Sequence, residues 1–274
     1  MSIQPLALTV AGTDPCGGAG IPADLKTFAA LGVYGFSVVT VVVAQNSSQV
    51  LGTAVVDREM VGRQILALMA HSRPQAMKTG ALGNAEIVAE VASAISSFGL
   101  PAPVVDPVIL SSGGARLLDK QGEDAMRKHL LPIAALVTPN VPEAQALSAI
   151  QIQNVAAMRE AARVIYKMGP RAVLIKGGHL AAPQLAVDLL YDGQRYIELA
   201  QERIEGSGAH GTGCALSAAI TAWLARGAEM EDAVRKGKAF VTRALRYAFQ
   251  LGAGRPLLNP WAGAQSRKDN GSDG

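Results

Sequence analysis

Short apolar runs alternate with longer amphipathic stretches along most of the 274-residue chain. The runs at 6–10 (LALTV), 36–43 (FSVVTVVV), 102–108 (APVVDPV), 134–139 (AALVTP) and 171–176 (RAVLIK) are almost continuously apolar. Strands buried on both faces look like this. Helical spacing fills the gaps and predicts helices over 19–31, 58–70, 85–98 and 158–168. The alternation predicts an α/β fold, a central and mostly parallel sheet flanked by helices on both faces. Residues 186–200 (AVDLLYDGQRYIELA) break the rhythm: two alternating segments around Asp192-Gly193 predict a small hairpin. Helices over 212–226 and 230–250 follow it. No linker or compositional break divides the chain, so one domain is expected over 1–262. The polar, aperiodic residues 263–274 are expected to be a disordered tail. There is no internal repeat.

Composition narrows the class. Hydrophobic residues make up 49% of the chain and aromatics only 4%, which suits Ala/Val/Leu/Ile strands under helices better than an aromatic-rich sandwich. The formal charge is +3, with no Lys/Arg run interleaved with aromatics, so nucleic acid is not an expected partner. The N-terminus has no basic segment and reads as a first strand rather than a signal peptide. No stretch reaches the roughly 18 apolar residues of a membrane span. The two cysteines, Cys16 and Cys214, sit far apart in separate glycine-rich loops and read as free thiols. A cytoplasmic protein is expected.

Candidate chemistry begins at GSGAHGTGCALSAAI, residues 206–220. Gly206, Gly208 and Gly211 satisfy G-x-G-x-x-G, but the acidic residues about 20 positions on, Glu229 and Glu231, open another helix instead of ending a strand. A dinucleotide fingerprint is therefore disfavoured. An anion cradle fits better: Gly211, Thr212, Gly213 and Cys214 fall in the first turn of a helix, where free N–H groups and the dipole attract a phosphate. A cysteine there is expected to have a depressed pKa and to be partly thiolate. A small buried cysteine packed under the helix fits the loop alone equally well.

Two other segments carry polar groups to strand ends. AGTDPCGGAGIPADLKTFAALGVYG (11–35) leaves the first strand with a tight glycine loop, and Asp14 and Asp24 offer acceptors for a polar ligand. A plain strand–helix connection with Asp14 as a turn residue is the competing reading. In TPNVPEA, Asn140 and Glu143 are spaced to share one helical side, where they could hold magnesium through waters, or simply begin a helix. Asp106 and Lys176 stand at further strand ends, a second acidic candidate and a cation for phosphates. Their common location at the ligand edge of one sheet is the signal. G-x-x-x-x-G-K-[ST], G-x-S-x-G and any Cys/His spacing typical of zinc are all absent.

Taken together, AGTDPCGGAGIPADLKTFAALGVYG, VVVAQNSS, VDPV, TPNVPEA, KGGH, VDLLYDG and HGTGCALSAAI resemble the hydroxymethylpyrimidine kinase/phosphomethylpyrimidine kinase family of thiamine biosynthesis. The likeness runs in order to about Trp261. It implies a ribokinase-like fold and MgATP-dependent phosphorylation of an aminopyrimidine alcohol and then of its phosphate, with ATP and Mg2+ as cofactors. It also implies roles. Cys214 matches the catalytic thiol, and Gly211, Thr212 and Gly213 match the anion hole. Gln45 matches the glutamine that binds the aminopyrimidine ring; Gly12, Ala19, Asp24, Val43, Ala81 and Val108 match other pocket positions. Asn140 and Glu143 match an N-x-x-E element tied to magnesium and phosphate, Asp106 is a second metal candidate, and Lys176 is expected at the nucleotide phosphates. A homodimer is expected because relatives are often dimers. Four departures stand out: Pro22 replaces a common glutamine, Cys16 a serine, Ala81 a methionine, and RPLLNPW lacks the usual histidine after PL. A pyridoxal kinase and a non-catalytic pyrimidine-binding protein are the alternatives. Gln45 argues against the first, and the retained thiol, glycine loop and N-x-x-E pair against the second.

Overall fold

A computed structural model of the chain describes residues 4–111, 113–178, 185–204 and 208–264. In chain order its elements are β1 (Leu6–Gly12), α1 (Gly20–Ala30), β2 (Tyr34–Gln45), β3 (Val50–Val55), α2 (Arg58–Met69) and β4 (Ala76–Thr79). Then come α3 (Ala85–Phe98), β5 (Val104–Val105), α4 (Lys120–Ala125), β6 (Leu136–Val137), α5 (Val141–Ser148) and α6 (Val155–Tyr166). The chain continues through β7 (Val173–Ile175), β8 (Leu185–Tyr191), β9 (Tyr196–Glu202), α7 (Thr212–Ala225), α8 (Met230–Arg246) and α9 (Pro260–Ala264).

One sheet runs through the molecule in the order β3-β2-β1-β4-β5-β6-β7-β8-β9. The six strands from β2 to β7 are parallel; β3 is antiparallel at one edge and the β8–β9 hairpin is antiparallel at the other. This is the mostly parallel sheet and hairpin expected from the pattern. Side-chain alternation splits the core in two. Leu8, Val10, Val105, Val137 and Ile175 face α2, α3, α5 and α6, whereas Ala7, Val104, Leu136 and Leu174 face α1, α7 and α8.

The expected helix over 85–98 is found with those ends: the Asn84 side chain caps it and Gly99, at φ 59°, stops it. Elsewhere the pattern misplaced boundaries. α6 starts at Val155 rather than 158, because the Asn154 side chain caps it. α8 ends at Arg246 instead of continuing to 250. The expected strands at 102–108, 134–139 and 171–176 shrink to two or three paired residues, since their polar ends turn away to form the ligand edge. β3 and β4 had no place in the sequence pattern: β3 is an edge strand of which most is exposed, and β4 spans only four residues. Of the tail expected over 263–274, residues 265–274 lie outside the described residues, and Gly263 and Ala264 close α9. Gly206 also lies outside them. No helix among the described residues is long and apolar enough to cross a membrane.

Candidate active site

The parallel strands deliver their polar residues to one edge, their C-terminal ends, where open α/β sheets bind ligands. Gly12 and Gln45 end β1 and β2, Ala81 follows β4, Asp106 follows β5, and Lys176 follows β7. A cavity of about 980 Å³ opens over this edge. All but one of the site residues implied by the resemblance line it: Gly12, Ala19, Val43, Gln45, Ala81 and Val108, together with Asp106, Asn140, Glu143, Lys176, Gly211, Thr212, Gly213 and Cys214.

Asp24 is the exception. Its side chain lies beneath the cavity, fully buried, with Oδ1 2.7 Å from the Lys78 ammonium and Oδ2 accepting from Thr9 Oγ1 at 2.7 Å. Asp14, the other acceptor expected for a ligand, is committed as well. Its carboxylate accepts from the N–H groups of Cys16, Gly18 and Ala19 and bonds His210 Nε2 at 3.0 Å. Burial alone would raise its pKa; the bonds from His210, Cys16 and Ala19 override that and hold it at about 2. Asp14 is thus the turn residue of the competing reading, and it clasps the first glycine loop to the second.

That clasp positions the start of α7. Gly211 caps the helix at φ 82°, and a Cβ there would stand 1.7 Å from the Gly18 carbonyl oxygen, so only glycine fits. Thr212, Gly213 and Cys214 form the first helical turn, whose N–H groups have no intrahelical acceptor. The Lys176 ammonium lies 3.1 Å from where a Gly213 Cβ would be. Free N–H groups and a lysine thus meet at one spot, an arrangement that suits a phosphate. Gly213→Ala would push the ammonium aside by a few tenths of an ångström. Turnover is expected to fall about tenfold with an unchanged melting temperature; full activity would detach Gly213 from the reaction.

Lys176 also bonds Asp106 Oδ1 at 2.9 Å, and Ser217 Oγ, one turn after Cys214, reaches Asp106 Oδ2 at 3.3 Å. Burial opposes the Asp106 charge, but the Lys176 and Lys78 ammonium groups hold its pKa below the usual value. Asn140 and Glu143 form the capping box of α5: Asn140 Oδ1 accepts from Glu143 N–H, and Glu143 Oε2 accepts from Asn140 N–H. Burial pushes the Glu143 carboxyl up to about 7; Lys176 pulls it down and the Asp106 charge adds to the rise.

The thiol departs from the expected behaviour. Cys214 is half-buried and its Sγ accepts from the Gly20 N–H, yet its pKa is pushed up to about 11 rather than depressed. Desolvation outweighs the Lys78 charge, and the Asp24 and Asp106 carboxylates add to the rise. The helix start is favourable for a thiolate, but two buried carboxylates stand behind it, and spacing along the chain does not reveal them.

Sequence reasoning missed Lys78. It is fully buried, and burial would lower its pKa, but Asp24, Cys214 and Asp106 hold it above the usual lysine value. Burial raises the Asp24 pKa in turn, and the Lys78 charge and the Thr9 hydrogen bond oppose that rise. A lysine within the short apolar strand AMKT was the available signal. It also missed Asp188, which accepts from Gly177 N–H and pairs with Lys238 at 2.7 Å, fixing the turn after Lys176.

This architecture is the ribokinase-like fold of small-molecule kinases. Residues 14–259 match the phosphomethylpyrimidine kinase family, and the chain belongs to that family. It is 44% identical over 259 residues to the hydroxymethylpyrimidine/phosphomethylpyrimidine kinase of Streptomyces coelicolor, covering 94% of this chain and 95% of that one. It is 41% identical over 262 residues to the Geobacter sulfurreducens thiamine biosynthesis bifunctional protein ThiED, covering 96% of this chain and 53% of the relative, about half its length. Among solved structures, an ADP complex of Bacillus subtilis pyridoxal kinase superposes with a TM-score of 0.87 at 37% identity, over 95% of this chain and 98% of that one. The phosphomethylpyrimidine kinase of Clostridium difficile gives 0.78 at 38% identity, over 88% and 99%.

Proposed function

We propose that the cavity transfers the γ-phosphoryl group of ATP to 4-amino-5-hydroxymethyl-2-methylpyrimidine and then to its monophosphate, giving the pyrophosphate used in thiamine biosynthesis. The observation that carries this is the convergence of Cys214, the first-turn N–H groups of α7 and Lys176 in one cavity with Gln45. In the first transfer the alcohol oxygen meets Cys214 Sγ, whose thiolate takes the alcohol proton as the new P–O bond forms and the bond to the leaving ADP breaks. The phosphate oxygen that attacks in the second transfer needs no such deprotonation. The N–H groups of Thr212, Gly213 and Cys214 and the Lys176 ammonium stabilise charge on the transferred group. Asp106, anchored by Ser217 and Thr138, holds Lys176 in place. The carboxylate oxygens of Asp106 and Glu143 suit magnesium, a hard cation, whose charge would favour the ionised Glu143 carboxylate that burial disfavours. Bound there with waters and phosphate oxygens, Mg2+ would neutralise phosphate charge. A coupled assay of ATP turnover on the pyrimidine, its phosphate and pyridoxal tests the assignment; turnover on neither pyrimidine would overturn it.

Pyridoxal is the second reading, favoured by the Bacillus subtilis pyridoxal kinase match. Gln45 separates the two. Its amide makes no hydrogen bond to any described residue and lines the cavity, offering two donors and an acceptor to an aminopyrimidine. Pyridoxal leaves that pairing unmet, at a cost of about 1–3 kcal/mol, or roughly 10- to 100-fold. Ala81, beside Gly12, leaves room for a bulkier ring, so measurable pyridoxal turnover is expected. Gln45→Leu is expected to narrow the kcat/KM preference chiefly by weakening pyrimidine use; an unchanged ratio would remove Gln45 from recognition. A single domain over 1–262, a cytoplasmic location and a homodimer belong to the same reading, and light scattering tests the last.

A further inference from the structure

Asp14, Cys16 and His210 take no part in the phosphoryl transfer described above, though His210 lines the same cavity, and they form a cluster with ligand geometry. Among the described residues they are the one group of three His, Cys or carboxylate side chains whose ligand atoms all fall within 4.8 Å of one another. Cys16 Sγ is 3.3 Å and His210 Nε2 3.0 Å from the same oxygen, Asp14 Oδ2. Tetrahedral zinc, with bonds of about 2.3 Å to sulfur and 2.0 Å to nitrogen or oxygen, separates such donors by about 3.5 and 3.3 Å. The two contacts to Asp14 Oδ2 need to open by only a few tenths of an ångström.

The surroundings are built as well. His210 is 5% exposed, which holds its Nε2 against Asp14 away from bulk water. The N–H groups of Gly18 and Ala19 hold the Asp14 carboxylate in position, as outer hydrogen bonds orient metal ligands. Cys16 is only half-buried, so the cluster has an approach from outside. Sequence spacing hides it, because Asp14 and His210 are 196 positions apart and meet only in the fold.

We propose that these three residues form a Zn2+ site that bridges the two glycine loops. Binding replaces the Cys16 S–H bond with a Zn–S bond and releases that proton to solvent. His210 donates the Nε2 lone pair and carries its ring proton on Nδ1; Asp14 Oδ2 donates a lone pair, and water completes the tetrahedron. No electron changes hands.

Co2+ added to the reduced, metal-stripped protein tests this, because a cobalt–thiolate bond absorbs in the near ultraviolet. The band is expected in the wild type and in Cys214→Ser, and is expected to vanish in Cys16→Ser. Serine can still donate to Asp14, so Cys16→Ser keeps the loop. Zn2+ alone is expected to displace the cobalt band, and to raise the melting temperature of the wild type but not of Cys16→Ser. No band in the wild type, or a band lost in Cys214→Ser and kept in Cys16→Ser, would overturn the proposal.

Discussion

Replacing Cys214 with alanine is expected to lower kcat by about 10²-fold or more, the scale of a lost acid–base group, while pyrimidine binding changes little. The pH profile gives the sharper readout. A proton acceptor must be deprotonated, and the thiol pKa is pushed up to about 11. Thiolate is then the minor form at neutral pH and grows about tenfold per pH unit until the pKa is reached. Wild-type kcat/KM, which reports the free enzyme, is therefore expected to climb steeply from neutral pH into the alkaline range. Cys214→Ala is expected to lose that limb. Cys214→Asp, whose carboxyl group has a far lower intrinsic pKa than a thiol, is expected to move the limb to lower pH. A flat wild-type profile would leave Cys214 a role in orienting the alcohol and none in taking its proton.

The second large effect falls on stability. Lys78→Met strips the ammonium from a fully buried ion pair and leaves Asp24 with Thr9 alone. Breaking such a pair on one side costs about 3–5 kcal/mol, a large share of the roughly 5–15 kcal/mol that holds a domain folded. The midpoint of urea unfolding is expected to drop accordingly. Adding Asp24→Asn in the same chain is expected to recover much of the loss, because the stranded charge goes too. The single variant is also expected to push the Cys214 thiol higher still, since Lys78 is its strongest stabilising charge. An unchanged unfolding midpoint in Lys78→Met would mean that Asp24 is protonated and the pair carries no charge.

Legibility in the sequence followed the range of the interactions. β1, α3 and the β8–β9 hairpin were readable because a continuous apolar run, helical apolar spacing and Asp192-Gly193 are local. Asp106 and Lys176 were readable as strand-end residues and Gly12 and Gln45 through the family resemblance, and the cavity gathers them. The Lys78–Asp24 pair spans 54 positions and the Asp14–His210 contact 196, and neither leaves a periodic trace. The thiol was misjudged for the same reason: its helix start is local, but the burial that raises its pKa comes from the fold, and the carboxylates that add to the rise arrive from α1 and from the end of β5. β3 and β4 escaped because an exposed edge strand and a four-residue strand carry too few apolar positions for a pattern.

The bond between Asp14 and His210 has a bearing on how the protein is made. Asp14 is translated 196 residues before its partner. At ribosomal speeds of about 5–20 residues per second, it waits roughly 10–40 s for the histidine. Through that interval the first glycine loop exists without the loop that pins it, and the Gly18 carbonyl has no Gly211 against it. Most of the strands can pair while the nascent chain lengthens, whereas the catalytic centre can close only after the segment carrying His210 has left the exit tunnel. A chain stopped by premature termination before that point could still build much of the sheet. It would occupy chaperones as a folding intermediate and never acquire the phosphate cradle.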